Sequence, residues 1–532
     1  FRIVRPPARR LTYAIPKVRR KYLTYLHQHF QKHKLLPKLY TLYQQCQPNQ
    51  PLTSQQQRQM AKLDRLRTEG MQAAEKRCRK LCMGEVDYSP AMATLGTKVE
   101  AHRLILRRKK GLKVSSRLIR RYAKQANISR PLSVSYKQAQ TDYTTALHEY
   151  HQFKPEAPRS RSDWLISRCD DPNTSDEDRK VTLSLIQKEK SRTASRQLRR
   201  IRNLPKTEAI TKVEVPNDPG PPITLYKQEL VEEAIMESIE QRYRLTESTP
   251  FLNEPLRSLV GLVGTTAAAQ QILDGTFQCP PDVDPITRDF IALLRMPSEV
   301  SPIDSTISME DWQDYWKGVR EATSSSFSRN HFGHWKTSHL SNLLSEFNPL
   351  YTQIATQHGY VPPRWAFGLM VMLQKKLGVF LVDKLRAILL LEADFNFANK
   401  LMLGVRMMRQ AERLHLTRPE ALGSRRGHDS KELALNRRLA ADLARQQVRP
   451  LAIASVDASQ CYDRIAHAPG SFSCQRLGVP PMFLATVLLT IQLMKFYVRT
   501  AYGDSTTFFT SQHTPTPFQG ICQGNGGGPA FW

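Results

Sequence analysis

Residues 454–465 read Ala454-Ser455-Val456-Asp457-Ala458-Ser459-Gln460-Cys461-Tyr462-Asp463-Arg464-Ile465. The run 451–456 (LAIASV) is apolar and β-rich, which predicts a buried strand with an acid at its end. A carboxylate fixed at a strand end is the hard oxygen ligand that Mg²⁺ takes. The backbone carbonyls of Val456 and Ala458 flank it and offer further oxygens. Tyr462 follows the acid by five residues and Asp463 by six. Each has a plainer reading: Asp457 as an acid capping the next turn, Tyr462 as a core aromatic, Asp463 as a partner for Arg464 or its own turn. Downstream stands a second motif, Gln523-Gly524-Asn525-Gly526-Gly527-Gly528-Pro529-Ala530.

Working back toward the N-terminus, residues 430–447 read as a helix that delivers the chain to this strand. Before it lies a loop, 422–429 (LGSRRGHD). Residues 379–391 (VFLVDKLRAILLL) form another apolar run, with Lys375 and Lys376 just ahead of it. Ser308 and Asp311 have the spacing of a helix N-cap before Trp312 and Trp316. Residues 324–336 (SSSFSRNHFGHWK) read as a small-residue loop. On the C-terminal side, 481–494 is an apolar helix and 495–510 a hairpin turning at Gly503-Asp504, where turn chemistry accounts for Asp504.

The first part of the chain has a different composition. Residues 1–210 carry 46 Lys and Arg against 17 Asp and Glu, a net +29, while the remainder carries 32 against 31. A field of one sign favours a polyanion through counterion release. The alternative is a solvated helical face or a basic tail. Helices are predicted over 18–45 with an interruption at Pro37, and over 53–82, 98–127, 135–151 and 177–203, with a loop at 154–178. Residues 216–222 (PNDPGPP) read as a linker, and 225–246 as an acidic amphipathic helix. At 532 residues the chain calls for two or three domains. Beginning at Phe1 and stopping at Trp532 inside an apolar run, it reads as an internal fragment.

The eight cysteines are scattered, with no disulfide framework, so reduced thiols and an intracellular, nuclear or cytoplasmic setting are expected. Cys78 and Cys82 lie one turn apart, but no His or Cys pair completes a metal set. No segment joins the basic charge to a lipid-facing apolar stripe, so a membrane partner is not expected.

Taken in order, these motifs resemble the reverse transcriptase domain of non-LTR (LINE-like) retrotransposon proteins, over roughly 305–532. SSSFSRNHFGHWK resembles the early fingers segment, and VMLQKKLGVFLVDKLRAILL the fingers hairpin. EALGSRRGHDS is similar to the loop before the palm helix, although Gln and Phe of that pattern are replaced. SVDASQCYDRI resembles the first palm motif and QGNGGGPA the second, with Gly528 where many relatives have Ser. Gln519-Gly520 is a worse-spaced candidate for the start of that second motif. The expected fold is α+β: a basic all-α region (1–215), a helical and Pro-rich connector (216–304), then the fingers (305–450) and partial palm (451–532) of a right-hand polymerase.

The resemblance implies RNA-directed DNA synthesis by two Mg²⁺ ions, on an RNA template and a DNA primer, from deoxynucleoside triphosphates. It makes Asp457 the metal ligand and places Tyr462 under the sugar, where a ring excludes a ribose 2′-hydroxyl. It gives Lys375, Lys376 and Arg386 to the triphosphate, Gln523 and Gly524 to the nucleotide, and Arg425 and Arg426 to the template. The plainer reading of either Lys is a solvated surface group, and of Arg425 and Arg426 a surface ion pair. Arg386, embedded in an apolar strand, is expected to be buried and to need an anionic partner. The Asp-Asp motif that supplies the other metal ligands is expected past Trp532, so this stretch alone is expected to be inactive. Two rival readings stand beside this one: a non-catalytic RNA-binding relic of a retroelement, and an RNA-templated RNA polymerase, against which Tyr462 argues.

Overall fold

The computed structural model describes residues 9–78, 82–83, 86–201, 209–323, 326–423 and 425–532. Ser324, Ser325 and Ser424 of the two expected loops, residues 79–81 of the helix expected over 53–82, residues 202–203 of the last basic helix and the side chain of Cys82 lie outside the described set. The fold is α+β. Two compact units divide it: Pro6–Leu26 with Ala73–Pro205 form one, and the other takes in His27–Gln72 and Lys206–Trp532. No helix among the described residues is long and apolar enough to cross a membrane.

The smaller unit holds most of the basic charge on helices. Helix Pro90–Lys109 starts at Ser89, whose hydroxyl accepts the Met92 N–H at 3.2 Å. It ends in Arg107, Arg108 and Lys109, cations that suit the negative end of a helix dipole. The helix expected over 98–127 is in fact two, because Gly111 at φ +80° lets the Leu112 N–H reach back to the Arg107 carbonyl and close the first. Helix Ser116–Gln125 then packs Ile119 against Leu104, Ile105 and Ala139. The loop expected at 154–178 contains helix Ala157–Asp170: Pro158 sits in its first turn, where no N–H is needed, and Leu165 is buried. Helix Asp176–Ile201 follows.

In the larger unit, the predicted break near Pro37 falls at Lys34, which takes a left-handed conformation between Pro16–His33 and Leu35–Gln45. Pro37 lies in the first turn of the second helix and is tolerated there. Helix Ser54–Lys76 opens with a reciprocal cap, the Thr53 N–H to Gln56 Oε1 at 2.8 Å and the Gln56 N–H to Thr53 Oγ1 at 3.3 Å. The stretch read as a linker is a β-hairpin, Val213–Asn217 against Gly220–Leu225, turning through Asp218-Pro219. Pro and Gly at 219–222 mark its turn and exposed edge, not a break between domains.

A four-stranded sheet centres this unit, in the order Leu385–Leu390, Phe367–Gln374, Lys495–Thr500, Gly503–Asp504. The first two strands form an antiparallel hairpin, and Phe367–Gln374 runs parallel to Lys495–Thr500. The turn after Lys495–Thr500 comes at Ala501-Tyr502, and Asp504 pairs with Arg499 across it. The Ser308–Asp311 capping box starts helix Met309–Gly318, which buries Trp312 and Trp316 against Trp335 and Phe397. Residues 332–336 of the expected small-residue loop belong to helix Phe332–Ser338.

The expected buried strand is the main departure. Residues 451–458 join no strand and are exposed, Val456 at 93% and Ile453 at 49%. Helix Ser430–Gln446 before them buries no residue. An apolar run states a tendency to pair but supplies no partner. Leu389 on the sheet's outer strand already gives its N–H to Gln523, at 2.8 Å.

Candidate functional site

The hairpin of the sheet sets up one wall of a cleft. Leu373 stands opposite Arg386 near the end of the hairpin, and Lys375, just past the strand, lines the same cleft as Arg386. Three other segments complete a cleft of about 170 Å³: the end of helix Gln228–Tyr243, Ala458 with residues 460–463, and Gln523. Lys375, Arg386, Tyr462 and Gln523, drawn from motifs up to 148 residues apart, line this single space, with Ala458 next to Asp457.

The turn bearing Tyr462 is held by the segment ahead of the second motif. The Ile521 N–H donates to the Tyr462 carbonyl at 2.9 Å and the Gly520 N–H to that of Ile465 at 2.8 Å. A Cβ on Gly520, at φ +84°, would come within 2.8 Å of the Tyr462 oxygen, so this approach requires glycine. His467 locks the same join, its Nε2 2.7 Å from the Gly520 carbonyl and its backbone N–H 2.8 Å from Gln519 Oε1. Gln519 is thus a buried strut, while Gln523 reaches the cleft. Further on, Gly528 opens helix Gly528–Phe531 beside the Tyr462 ring.

Cations outnumber acids in the cleft. Arg242 is buried and donates to the carbonyls of Val382 (3.0 Å) and Leu385 (3.2 Å), which fixes it under the hairpin. Asp463 is the acid present. Burial pushes its carboxyl up, against the pull of Arg242 and Lys375. Three cations facing one acid make a site for an anion with several charges. Arg242 and Tyr243 did not emerge from sequence reasoning, because helix 225–246 reads as an acidic connector. Their only signal is the apolar spacing Val231, Ile235, Ile239, Tyr243, which carries the helix end into the core.

The remaining expected residues lie elsewhere or differ in environment. Arg386 is exposed, not buried, because its strand turns this position to the cleft. Lys376 is exposed and does not line the cleft. The tight approach of Gly524 is to protein: at φ +123°, its Cβ would lie 2.2 Å from the Leu389 carbonyl. Arg425 pairs with Glu412 at 3.2 Å and with the Pro419 carbonyl, a local loop clasp, and Arg426 is exposed. Asp457 sits in the exposed irregular stretch.

The residues around Asp457 do not fit a pair of Mg²⁺ ions. Two metals need several oxygen ligands held together, and among the described residues no group of three His, Cys, Asp or Glu gathers about Asp457. No protein-family model and no curated protein matches this chain.

Proposed function

We propose that the larger unit is part of an RNA-directed DNA polymerase of retroelement type, with the fingers and part of the palm of a right hand. The cleft is its nucleotide pocket. One observation carries this reading: four residues that the resemblance assigns to the incoming nucleotide, Lys375, Arg386, Tyr462 and Gln523, line one cleft. Arg386 and Lys375 take the triphosphate, Arg242 adds a fixed positive charge behind them, and Tyr462 bars the 2′-hydroxyl. RNA template and DNA primer are the proposed partners, and the basic unit is their proposed hold.

The test is binding of fluorescent deoxynucleoside and ribonucleoside triphosphates to the whole chain. Arg386→Gln and Lys375→Gln should each weaken the deoxynucleotide about tenfold, the scale of one charged hydrogen bond. Tyr462→Ala should bring the two sugars to similar affinity. Absence of triphosphate binding, or binding indifferent to Arg386 and Lys375, overturns the reading.

The exposure of Asp457 favours a second reading, a relic that holds RNA and nucleotide without joining them. Binding of nucleotide and RNA by the whole chain with no primer extension would select it, and primer extension abolished by Asp457→Ala would reject it.

A further inference from the structure

A larger cavity, about 590 Å³, lies wholly within the basic unit. Its size is that of a pocket for a nucleotide-sized ligand. Helix Ala157–Asp170 supplies one wall through Trp164, whose ring stands edge-on to Tyr88 with centroids 5.3 Å apart. Arg161 fixes that wall, donating to the Tyr88 carbonyl at 2.7 Å and to Glu189 at 2.8 Å. Apolar groups such as Val18 and Leu165 line it further, and both are buried. Lys17 and Lys21, one turn apart on helix Pro16–His33, are exposed and line it as well. Arg168 lies over the Trp164 ring at 5.6 Å.

We propose that this cavity receives one unstacked base of a single-stranded RNA, laid against Trp164, with its flanking phosphates on Lys17, Lys21 and Arg168. The ligand must be flat and apolar on its faces, because the wall is an aromatic ring among aliphatic groups. It must also be anionic at its edge, because Lys17, Lys21 and Arg168 line the same cavity beside Arg161, which is already paired with Glu189. A base with its phosphate has both properties. Two carboxylates, Asp171 and Asp178, also line the space and accept hydrogen bonds from a base amino group. A duplex keeps its bases stacked and cannot enter, so the pocket separates single strands from duplexes where the net +29 field of residues 1–210 alone does not. This inference rests on the reading that the basic unit holds nucleic acid.

Trp164 makes the test direct. The other five tryptophans are Trp312, Trp316, Trp335, Trp365 and Trp532, all in the larger unit. The difference in emission between the whole chain and its Trp164→Phe variant therefore isolates this ring. A mixed-sequence single-stranded RNA of about ten nucleotides should quench that difference signal, and a blunt RNA duplex of equal length should not. Trp164→Leu should weaken the single strand about tenfold and leave the duplex unchanged, while Trp164→Phe keeps most of the affinity. Lys17→Gln with Lys21→Gln, both on the surface, should lower the salt slope for the single strand by about one to two, a control that does not disturb the packed wall. Salt-dependent RNA binding without Trp164 quenching, or equal quenching by duplex, overturns the pocket and leaves the nucleic-acid reading standing. Absence of any RNA binding overturns both.

Discussion

The guanidinium of Arg67 donates to Asp394 at 3.0 Å, joining residues 327 positions apart in the larger unit. The same guanidinium pairs with Asp64 and reaches Asn348 Oδ1 at 3.1 Å, under the rings of Tyr351 (4.5 Å) and Trp335 (5.2 Å). Arg364 repeats the pattern, bonding Asp64 at 2.9 Å, Asp394 at 3.0 Å and also Glu392. The Trp365 indole N–H adds a bond to Asp394 at 3.1 Å. Two cations and three carboxylates are buried together. Burial raises the Glu392 carboxyl, with Arg364 opposing and Asp394 reinforcing. For Asp64, burial also pushes upward, but Arg364 and Arg67 outweigh it and the carboxyl is lowered.

Removing one member of this cluster should be costly, because it strands a buried charge. Arg67→Met is expected to destabilise the protein by about 3–5 kcal/mol, read as a shifted urea midpoint. Arg67→Lys should recover little, since an ammonium cannot reproduce the planar fork that serves Asp64, Asn348 and Asp394. A loss below about 1 kcal/mol for Arg67→Met would mean that packing, not the ion cluster, ties helix Ser54–Lys76 to the segment after the sheet.

Two glycines of the second motif should respond oppositely. Gly524→Ala drives a Cβ to 2.2 Å from the Leu389 carbonyl at φ +123°, and both the strain and the collision act on the sheet's outer strand. A loss of about 3 kcal/mol or more is expected. For Gly528→Ser, a new Cβ meets nothing closer than the Tyr462 ring at 3.6 Å. It should change stability by about 0.5 kcal/mol or less. Thermal melts of both variants decide this, and equal losses would show that the segment packs differently.

How far the sequence was legible depended on whether the signal was local. The cap at Ser308 and the hairpin around Lys375 rest on residues a few positions apart, and each is where the pattern put it. The start of helix Pro90–Lys109 at Ser89 lies eight residues ahead of the expected one. The segments of the cleft were visible as motifs, but Arg242 was not, because nothing near it in sequence indicates that it lies under Leu385. The ion cluster was invisible for the same reason: Asp64 and Asp394 are ordinary helical acids until folding brings them to one pair of arginines. The strand expected at 451–456 failed because a strand is a property of two segments, and composition describes only one. Prolines misled twice. Pro158 and Pro219 lie within the expected loop and linker, but they stand in a helix's first turn and a hairpin turn.

Helix Ser430–Gln446 offers a third prediction. Leu435, Leu439 and Leu443 are each more than half exposed, and the helix buries none of its residues. Leu439→Glu should therefore leave the unfolding midpoint within about 0.5 kcal/mol of the parent. It should also reduce light scattering on concentration, since an exposed apolar stripe promotes association. A clear loss of stability would show that Leu439 is covered in solution.

His467 should impose a pH dependence with a definite sign. Its ring is buried, with Nε2 facing the Gly520 carbonyl and Nδ1 2.8 Å from Gln492 Nε2. Burial lowers its pKa from 6.5 to about 4, against the opposing bond to Gly520. Between those values the unfolded chain binds more protons than the folded one, so stability rises with pH there and falls as acid is added. The contribution is complete above about pH 6.5 and is withdrawn through pH 4, a span worth about 3 kcal/mol. Asp64, with its lowered carboxyl, loses stability in the same direction, so the comparison must be with a variant. In His467→Gln the stability should vary less between pH 7 and pH 4, so the parent's advantage shrinks by about 3 kcal/mol across that range. Parallel curves for the two proteins in urea titrations would mean that the ring takes up its proton without opening the join between Tyr462 and Ile521.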